Sequence, residues 1–258
     1  MTVEALEFSP NPFRGVVTAP DALPANPDDF RPRLAYSIDS WTNEGYTLVW
    51  LEVPEGKASL IPIAVDSGFT FHHTGDGYLM LVRRLVEDTT IPPFASHYIG
   101  AGGVVVNNAQ ELLVVRERRL GAGQRSFKLP GGLVEAGEHL TDGVVREVFE
   151  ETGIRTRFRS VASFRSQHGY RHAKSDIYFA CRLEPLTNEI TIQVEEIEEC
   201  RWMPVSEYLG SETVSAFNKS IVRATLESPG LAPTSIDGYS DPQKRELYMP
   251  ALDRPLDA

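Results

Sequence analysis

The sequence contains little cysteine. Only Cys181 and Cys200 occur in 258 residues, and neither belongs to a CxxC motif or stands at a metal-ligand spacing from a histidine. Both lie in apolar, strand-like surroundings. A disulfide framework and a cysteine-based zinc site are therefore disfavoured. We expect both residues to be reduced side chains of the core.

Long apolar runs are also missing. No run approaches the roughly 20 apolar residues of a membrane span. The opening residues, MTVEALEFSPNPF, lack the basic region followed by an apolar region of a secretory signal. At 41% hydrophobic residues, the chain can bury one large core or two modest ones. We expect a cytoplasmic protein without a membrane partner.

Positive charge is scarce overall, and the formal net charge is -11. Because nucleic-acid backbones are bound through clustered lysine and arginine, a nucleic-acid partner is disfavoured. The basic residues nevertheless cluster on both sides of one acidic stretch. They are Arg116, Arg118, Arg119, Arg125 and Lys128 before it, and Arg155, Arg157, Arg159, Arg165, Arg171 and Lys174 after it. Most should be solvated, and one or two should bind substrate phosphates.

The acidic stretch itself, GLVEAGEHLTDGVVREVFEETGI, occupies residues 132–154. A helix over residues 140–152 turns by about 100° per residue. This rotation places Glu147, Glu150 and Glu151 within an arc of roughly 100° on one face. Valines take another face and can pack into a core, while Gly153 suits a left-handed residue after the helix. The predicted helix is therefore anchored on one side and acidic on another.

Three clustered carboxylates repel one another, and hard divalent cations relieve that repulsion. Mg²⁺ or Mn²⁺ fits such oxygen ligands, and Mg²⁺ usually binds through a few carboxylates together with substrate phosphates. A phosphate substrate is therefore expected. Arg146 precedes Glu150 by four residues and should orient a carboxylate, and Glu138 in the preceding loop should hold Arg146.

The spacing from Gly132 to Ile154 matches G-x5-E-x7-R-E-U-x-E-E-x-G-U at every defined position, where U is aliphatic. The stretch therefore resembles the Nudix box. The resemblance implies a hydrolase in which Glu147, Glu150 and Glu151 hold the metal and the preceding segment, including Gly131, lies beside it. Two alternatives are an exposed salt-bridged helix and a Nudix fold that has lost catalysis, but no acidic position is missing.

The segments LVWLEVP, LIPIAVDSGFTFHHTGDGYLMLVRRL and PFASHYIGAGGVVVN resemble the first part of a two-domain Nudix group of plants and animals. The resemblance implies α/β architecture: a small acetyltransferase-like α/β domain over residues 1–92, then a Nudix α/β/α sandwich with a mixed sheet over 93–228. An irregular tail, 229–258, should follow. Acetyl transfer is disfavoured because no glycine-rich acyl-CoA turn is present. The family likeness also implies a homodimer.

Local patterns predict the elements of both domains. Adjacent strand residues point to opposite faces, so His72 and His73 should not chelate a metal together and are expected to be structural. The predicted helices cover residues 27–43, 59–66, 140–152 and 213–227, and the predicted strands cover 46–53, 78–85, 99–106, 112–116, 155–164 and 175–183. Residues 1–25 should form an extended lead-in.

The expected reaction is Mg²⁺-dependent hydrolysis of a nucleoside diphosphate linked to another group X, with either Glu147 or Glu196 as the proton acceptor. The family likeness implies Glu196, six residues before Trp202, as a residue that reaches the metals or acts as the base. It also favours ADP-ribose or NADH as substrate, with AMP as a product.

Other substrates and functions stay open. The presence of Tyr170 leaves dinucleoside polyphosphates as an alternative substrate, and hydrolysis of CoA derivatives and a nucleotide-sensing role are further alternatives. RNA decapping is disfavoured by charge. His168 and His172 lie where substrate contact is feasible, although surface residues are the simpler expectation.

Overall fold

The computed structural model describes residues 3–118 and 126–250. The chain divides into two compact units, Met1–Ala95 and Ser96–Ala258. Within the described residues, no helix is both long and apolar enough to cross a membrane.

The first unit is a five-stranded sheet with helices against one face. Its strand order is β1-β2-β3-β5-β4, and only the β2–β3 pair is parallel. The strands are β1 (Phe8–Pro10), β2 (Gly15–Thr18), β3 (Leu48–Pro54), β4 (Thr70–Gly75) and β5 (Tyr78–Arg84), and the helices are α1 (Pro27–Asn43) and α2 (Ile61–Asp66).

Helix α1 begins where the sequence predicts. The Asn26 side chain accepts a hydrogen bond from the Asp28 backbone at 2.9 Å, and proline occupies the first turn. The buried face of α1 carries Phe30, Leu34 and Trp41, which pack into the core over the sheet. Spacings of four and seven residues place these side chains on one stripe.

Two parts of this unit differ from expectation. Residues 1–25 are not only a lead-in, because β1 and β2 extend the sheet from within this segment. The predicted helix over residues 59–66 begins later than expected, at Ile61, after a 3-10 segment at Glu55–Leu60. The acetyltransferase-like character of this unit stays a prediction.

The expectation that His72 and His73 point apart is wrong. A bulge between Phe71 and His73 interrupts the pairing of β4 with β5, so strand alternation is broken there. The two Nδ1 atoms lie 2.7 Å apart. His73 also stacks on Phe94 with ring centroids 4.1 Å apart, and His72 Nε2 lies 2.8 Å from the Pro92 carbonyl oxygen.

The second unit contains a mixed four-stranded sheet of order β8-β6-β10-β9 and a separate antiparallel pair, β7 with β11. Strands β6 and β10 are parallel, and the other pairs are antiparallel. The elements are β6 (His97–Val105), β7 (Glu111–Glu117), β8 (Gly131–Leu133), α3 (Leu140–Thr152), β9 (Thr156–Gln167), β10 (Ser175–Pro185), β11 (Ile197–Pro204), α4 (Val205–Gly210) and α5 (Ala216–Glu227).

Two cores lie on opposite faces of this sheet. Val105 and Cys181 pack with α3, whereas their neighbours Val104 and Ala180 pack with α5. Alternation of side chains along β6 and β10 explains the division. The predicted α/β/α sandwich with a mixed sheet is confirmed. The closing helix starts at Ala216, after a cap by Ser215, and the short helix α4 lacked a sequence signal.

Residues 230–250, called the C-terminal segment below, pack against this unit. Two short strands, β12 (Ala232–Pro233) and β13 (Tyr248–Met249), pair with each other. Leu231 exchanges backbone hydrogen bonds with Val161 in β9. Tyr248 joins the core on the α3 side. The sequence pattern did not predict this packing, because the segment has no apolar periodicity.

Candidate active site

Helix α3 is held on its apolar side and ends at glycine. Val144 and Val148 are fully buried against the sheet. Gly153 has φ of 72° and donates its backbone N–H to the Phe149 carbonyl at 2.7 Å. A side chain there would be strained, and its Cβ would lie 2.9 Å from Thr191. The bounds of α3 match the predicted helix over residues 140–152.

Arg146 lies at the centre of the acidic face. Its guanidinium donates two hydrogen bonds to Glu138, from Nε to Oε1 at 2.7 Å and from one terminal nitrogen to Oε2 at 2.9 Å. The other terminal nitrogen lies 3.0 Å from Glu147 and 3.1 Å from Glu150. A further hydrogen bond reaches the Leu133 carbonyl at 3.1 Å. One planar cation therefore arranges three carboxylates and the preceding strand.

The charges of this group are stabilised by one another. Hydrogen bonding to Arg146 lowers the pKa of Glu138 to about 2, although burial opposes that change. The same hydrogen bond raises the pKa of Arg146 above its ordinary value. Glu138 is therefore ionised at neutral pH, and it holds Arg146 as the sequence predicts.

The carboxylate of Glu147 lies against β8, in space that is free because residue 132 is glycine. A Cβ added to Gly132 would lie 2.4 Å from Glu147 Oε2. Burial is the largest influence on Glu147 and raises its pKa, and Glu150 adds to this effect by repulsion. The glycine of the box thus allows a carboxylate to lie directly against the sheet edge.

Glu151 is the most buried carboxylate of the box, with 5% of the residue exposed. Its Oε2 accepts the Gly131 N–H at 2.9 Å, and its Oε1 lies 3.8 Å from Lys128 Nζ. Burial raises the pKa of Glu151 to about 7, despite the opposing charge of Lys128. Gly131 has φ of 147°, and a Cβ there would lie 2.2 Å from the Ala101 carbonyl oxygen.

The chemistry of these side chains suits a hard divalent cation. Glu147, Glu150 and Glu151 present oxygen donors on one face, and two of them have pKa values raised by burial and mutual repulsion. Among residues 3–118 and 126–250, however, no three acidic, histidine or cysteine side chains already converge on one point. The oxygens instead contact Arg146, Lys128 and Gly131, so a metal would exchange for some of these contacts.

A cavity of about 310 Å³ adjoins this carboxylate face. Lys128 and Gly131, which both contact Glu151, line one side of it. The guanidinium of Arg165 lies over the rings of Tyr178 and Phe217, at 5.6 and 5.1 Å from their centroids. Arg165 is also paired with the buried Asp176. The cavity therefore combines a cation beside the carboxylates with an aromatic wall.

Glu196 is not joined to this group by any described side-chain bond. Its side chain is exposed, and in the described part of the chain no hydrogen bond or ion pair joins it to the box. Its backbone carbonyl accepts the Arg118 N–H at 2.6 Å, at the end of the β7–β11 pair. Arg119 and Arg125, two candidate phosphate-binding residues, lie outside the described residues. The role of Glu196 stays a prediction.

The loop after β9 contains the other candidates. The Tyr170 ring packs against Tyr98 with centroids 6.0 Å apart, and His168 Nδ1 lies 2.9 Å from the Ser175 hydroxyl. His172 has φ of 52° within a short 3-10 turn. None of the contacts described for these three residues involves the box. Both cysteines are free, and Cys181 is buried.

Three residues of the site region were missed as specific candidates. Lys128 and Arg165 were identified only among many basic residues, although Lys128 contacts Glu151. Arg165 and Phe217 lie 37 and 89 residues further along the chain and meet Lys128 only in the cavity. Lys128 could have been singled out because it lies close to the box in sequence, whereas no sequence feature pointed to Phe217.

A helix carrying the complete box against a mixed sheet defines a Nudix-type hydrolase site. The family model of the NUDIX domain matches residues 96–224, and that of the Nudix hydrolase domain matches residues 6–85. Nudix hydrolase 8 of Arabidopsis thaliana is 35% identical over 251 residues, covering 93% of this chain and 68% of the relative. Nudix hydrolase 2 of the same plant is 42% identical, covering 75% and 70%.

A human protein, nucleoside diphosphate-linked moiety X motif 6, is 37% identical over 201 residues and covers 76% of this chain and 63% of its own length. The chain therefore belongs to the Nudix hydrolase family and is a hydrolase. Nudix hydrolases generally use divalent metal ions.

Proposed function

We propose that this protein hydrolyses the diphosphate bond of a nucleoside diphosphate linked to another group, with ADP-ribose or NADH as substrate and AMP as one product. The observation that carries the proposal is the acidic face of α3. Arg146, which is paired with Glu138, contacts Glu147 and Glu150 there, and Glu151 accepts the Gly131 N–H next to them. The name of the human relative, which refers to a nucleoside diphosphate-linked moiety, agrees with this substrate class.

Mg²⁺ is the proposed cofactor, with Mn²⁺ as a substitute. Glu147, Glu150 and Glu151 would hold it, with the backbone at Gly131 beside them. When bound, such a metal lowers the pKa of a water molecule and offsets charge on phosphoryl oxygens. Arg146 keeps two of the carboxylates in place, and Lys128 offers a positive charge next to Glu151. We expect Lys128 to bind a substrate phosphate.

The proton acceptor is proposed to be Glu147 rather than Glu196. Glu147 belongs to the carboxylate group that would hold the metal, and its carboxylate lies against Gly132 next to that group. The Glu196 side chain is exposed, and among the described residues it makes no hydrogen bond or ion pair with the box. If Glu196→Gln lowers kcat by orders of magnitude while Glu147→Gln does not, this assignment is wrong.

The nucleoside half is proposed to enter the cavity beside Lys128. Phe217 is 40% exposed, so its ring offers a stacking surface for a base. Arg165 is fixed between two rings and one buried carboxylate, which leaves it preorganised toward the cavity. A phosphate near Lys128 would then lie next to the carboxylates.

The decisive experiment compares ADP-ribose, NADH and diadenosine polyphosphates with Mg²⁺ and with EDTA, and identifies products by chromatography. AMP from ADP-ribose or NADH that disappears with EDTA supports the proposal. Faster turnover of diadenosine polyphosphates would replace the substrate assignment, and no turnover of any compound would favour nucleotide sensing. Glu151→Gln should retain the fold and lose activity by about two orders of magnitude or more. Retained activity in this variant would refute the role of the box.

A further inference from the structure

Helix α3 does not cap its own beginning. His139 occupies the position before the first helical residue, and its side chain makes no capping hydrogen bond. The first backbone N–H groups of a helix need partners from outside the helix. The chain supplies them from a residue 106 positions further on.

Glu246 provides the missing cap. Its Oε2 accepts the Leu140 N–H at 2.6 Å, and its Oε1 accepts the Thr141 hydroxyl at 2.7 Å and the Thr141 N–H at 3.2 Å. A carboxylate at this end also interacts favourably with the helix dipole. The two oxygens of one side chain therefore accept the first two backbone N–H groups of α3.

The cap is itself held in place. The Tyr248 hydroxyl donates to Glu246 Oε1 at 2.7 Å, and the Tyr248 ring packs against Phe158 with centroids 5.7 Å apart. His139 faces Glu246, with Nδ1 3.6 Å from Oε2, and its Nε2 lies 2.8 Å from the Pro242 carbonyl oxygen. Burial alone would raise the pKa of Glu246, but hydrogen bonds from Tyr248, Thr141 and Leu140 lower it overall.

The capped turn adjoins the residue that holds Arg146. Glu138 directly precedes His139, and its two oxygens bind the Arg146 guanidinium, which in turn contacts Glu147 and Glu150. The His139 carbonyl accepts the Gly143 N–H at 2.9 Å, so His139 is hydrogen-bonded to the first turn of α3. A shift of this turn would move Glu138 and release Arg146.

We propose that Glu246 is a positioning residue for hydrolysis, through which the C-terminal segment holds the first turn of α3 and thereby the Glu138–Arg146 pair and the metal-binding carboxylates. The segment thus forms part of the catalytic unit. The inference relies on the proposed function only for the choice of substrate and metal.

The test compares full-length Glu246→Ala and Glu246→Gln with the wild type and with Asp237→Ala. Asp237 is an exposed carboxylate of the same segment, and no hydrogen bond or ion pair of its side chain is found in the described residues. Kinetics on the substrate identified above give kcat and KM. The binding of Mn²⁺ alone, measured by electron paramagnetic resonance, gives an affinity without turnover. Hydrogen exchange of residues 135–146 reports on the helix start.

Glu246→Ala should lower kcat about tenfold with KM nearly unchanged, weaken Mn²⁺ binding several-fold and speed exchange in residues 135–146. Glu246→Gln keeps an acceptor oxygen and should retain more activity, while Asp237→Ala should match the wild type. Unchanged kcat and Mn²⁺ affinity in a folded Glu246→Ala protein would overturn the proposal, even if exchange increased, because the cap would then serve stability alone.

Two further results are decisive in the same way. If Glu246→Ala does not fold, Glu246→Gln and Tyr248→Phe decide, because each weakens the cap without emptying the site: reduced kcat or Mn²⁺ affinity supports the proposal, and wild-type values refute it. If the wild-type protein hydrolyses none of the substrates, the proposed function fails. The Mn²⁺ and exchange measurements still test the role of Glu246.

Discussion

Arg146 and Glu138 form a bidentate pair, with nitrogen–oxygen distances of 2.7 and 2.9 Å across eight residues of sequence. The pair leaves one terminal nitrogen of Arg146 for Glu147 and Glu150. Because a lysine ammonium lacks the planar fork, it cannot reproduce these contacts together.

Arg146→Lys should therefore lower kcat/KM by about one to two orders of magnitude while the protein remains folded. The loss is expected because Glu138, Glu147 and Glu150 would no longer be held in fixed positions by one guanidinium. Steady-state kinetics and circular dichroism measure the two quantities. Arg223→Lys is the matched control, because Arg223 is exposed on α5 away from the box. Equal activity of Arg146→Lys and the wild type would contradict the positioning role.

Glu138 should also make stability depend on pH in the acid range. Its pKa is about 2 in the folded protein and 4.5 ordinarily, so its ionised form stabilises the fold. This contribution is fully present above pH 4.5 and is lost as the pH falls toward 2. Glu138→Gln should thus destabilise the protein more at pH 7 than at pH 3.

Urea unfolding of the wild type and Glu138→Gln at several pH values checks this expectation. The difference in free energy of unfolding between the two proteins should shrink below pH 4.5. A difference that stayed constant from pH 7 to pH 3 would show that the carboxyl group does not carry the effect.

Gly132→Ala should impair catalysis more than folding. The added methyl group would lie 2.4 Å from Glu147 Oε2, which is the end of a flexible side chain and can move aside. The displacement removes a carboxylate from its place, so kcat/KM should fall about tenfold or more. Gly210→Ala is the control, because nothing lies within 4 Å of its added carbon. The prediction is contradicted if both variants keep wild-type kinetics or if Gly132→Ala only unfolds the protein.

Phe217→Ala should raise KM for nucleotide substrates and weaken inhibition by AMP. Loss of an aromatic stacking surface costs about 1–3 kcal/mol per base in nucleic-acid complexes, and a comparable loss here corresponds to inhibition that is weaker by roughly 5- to 150-fold. Inhibition by ribose 5-phosphate, which lacks a base, should not change.

Leu226→Ala provides the control for this substitution. Leu226 lies on the same helix with 42% exposure, against 40% for Phe217, but does not line the cavity beside Lys128. If Phe217→Ala leaves inhibition by AMP unaltered, the base does not bind in this cavity.

Much of the second unit could be predicted from local pattern. The limits of α3 and the acidic face follow from helical periodicity within one stretch, and the Arg146–Glu150 contact follows from a spacing of four residues. The expectation that His72 and His73 point to opposite faces was wrong because it assumed regular alternation, and the bulge in β4 depends on the partner strand. The C-terminal segment lacked periodicity, so its packing could not be predicted.

The sequence by itself determined the family, the helix of the box and the carboxylates proposed to hold a metal, since all of these depend on spacings within 23 consecutive residues. Tertiary structure alone decided that Lys128 meets Glu151, that Phe217 closes a cavity beside them and that Glu246 caps α3. These contacts join residues 23 to 106 positions apart. They exist because two cores pack on opposite faces of one sheet, and packing over such separations is not encoded in any local period.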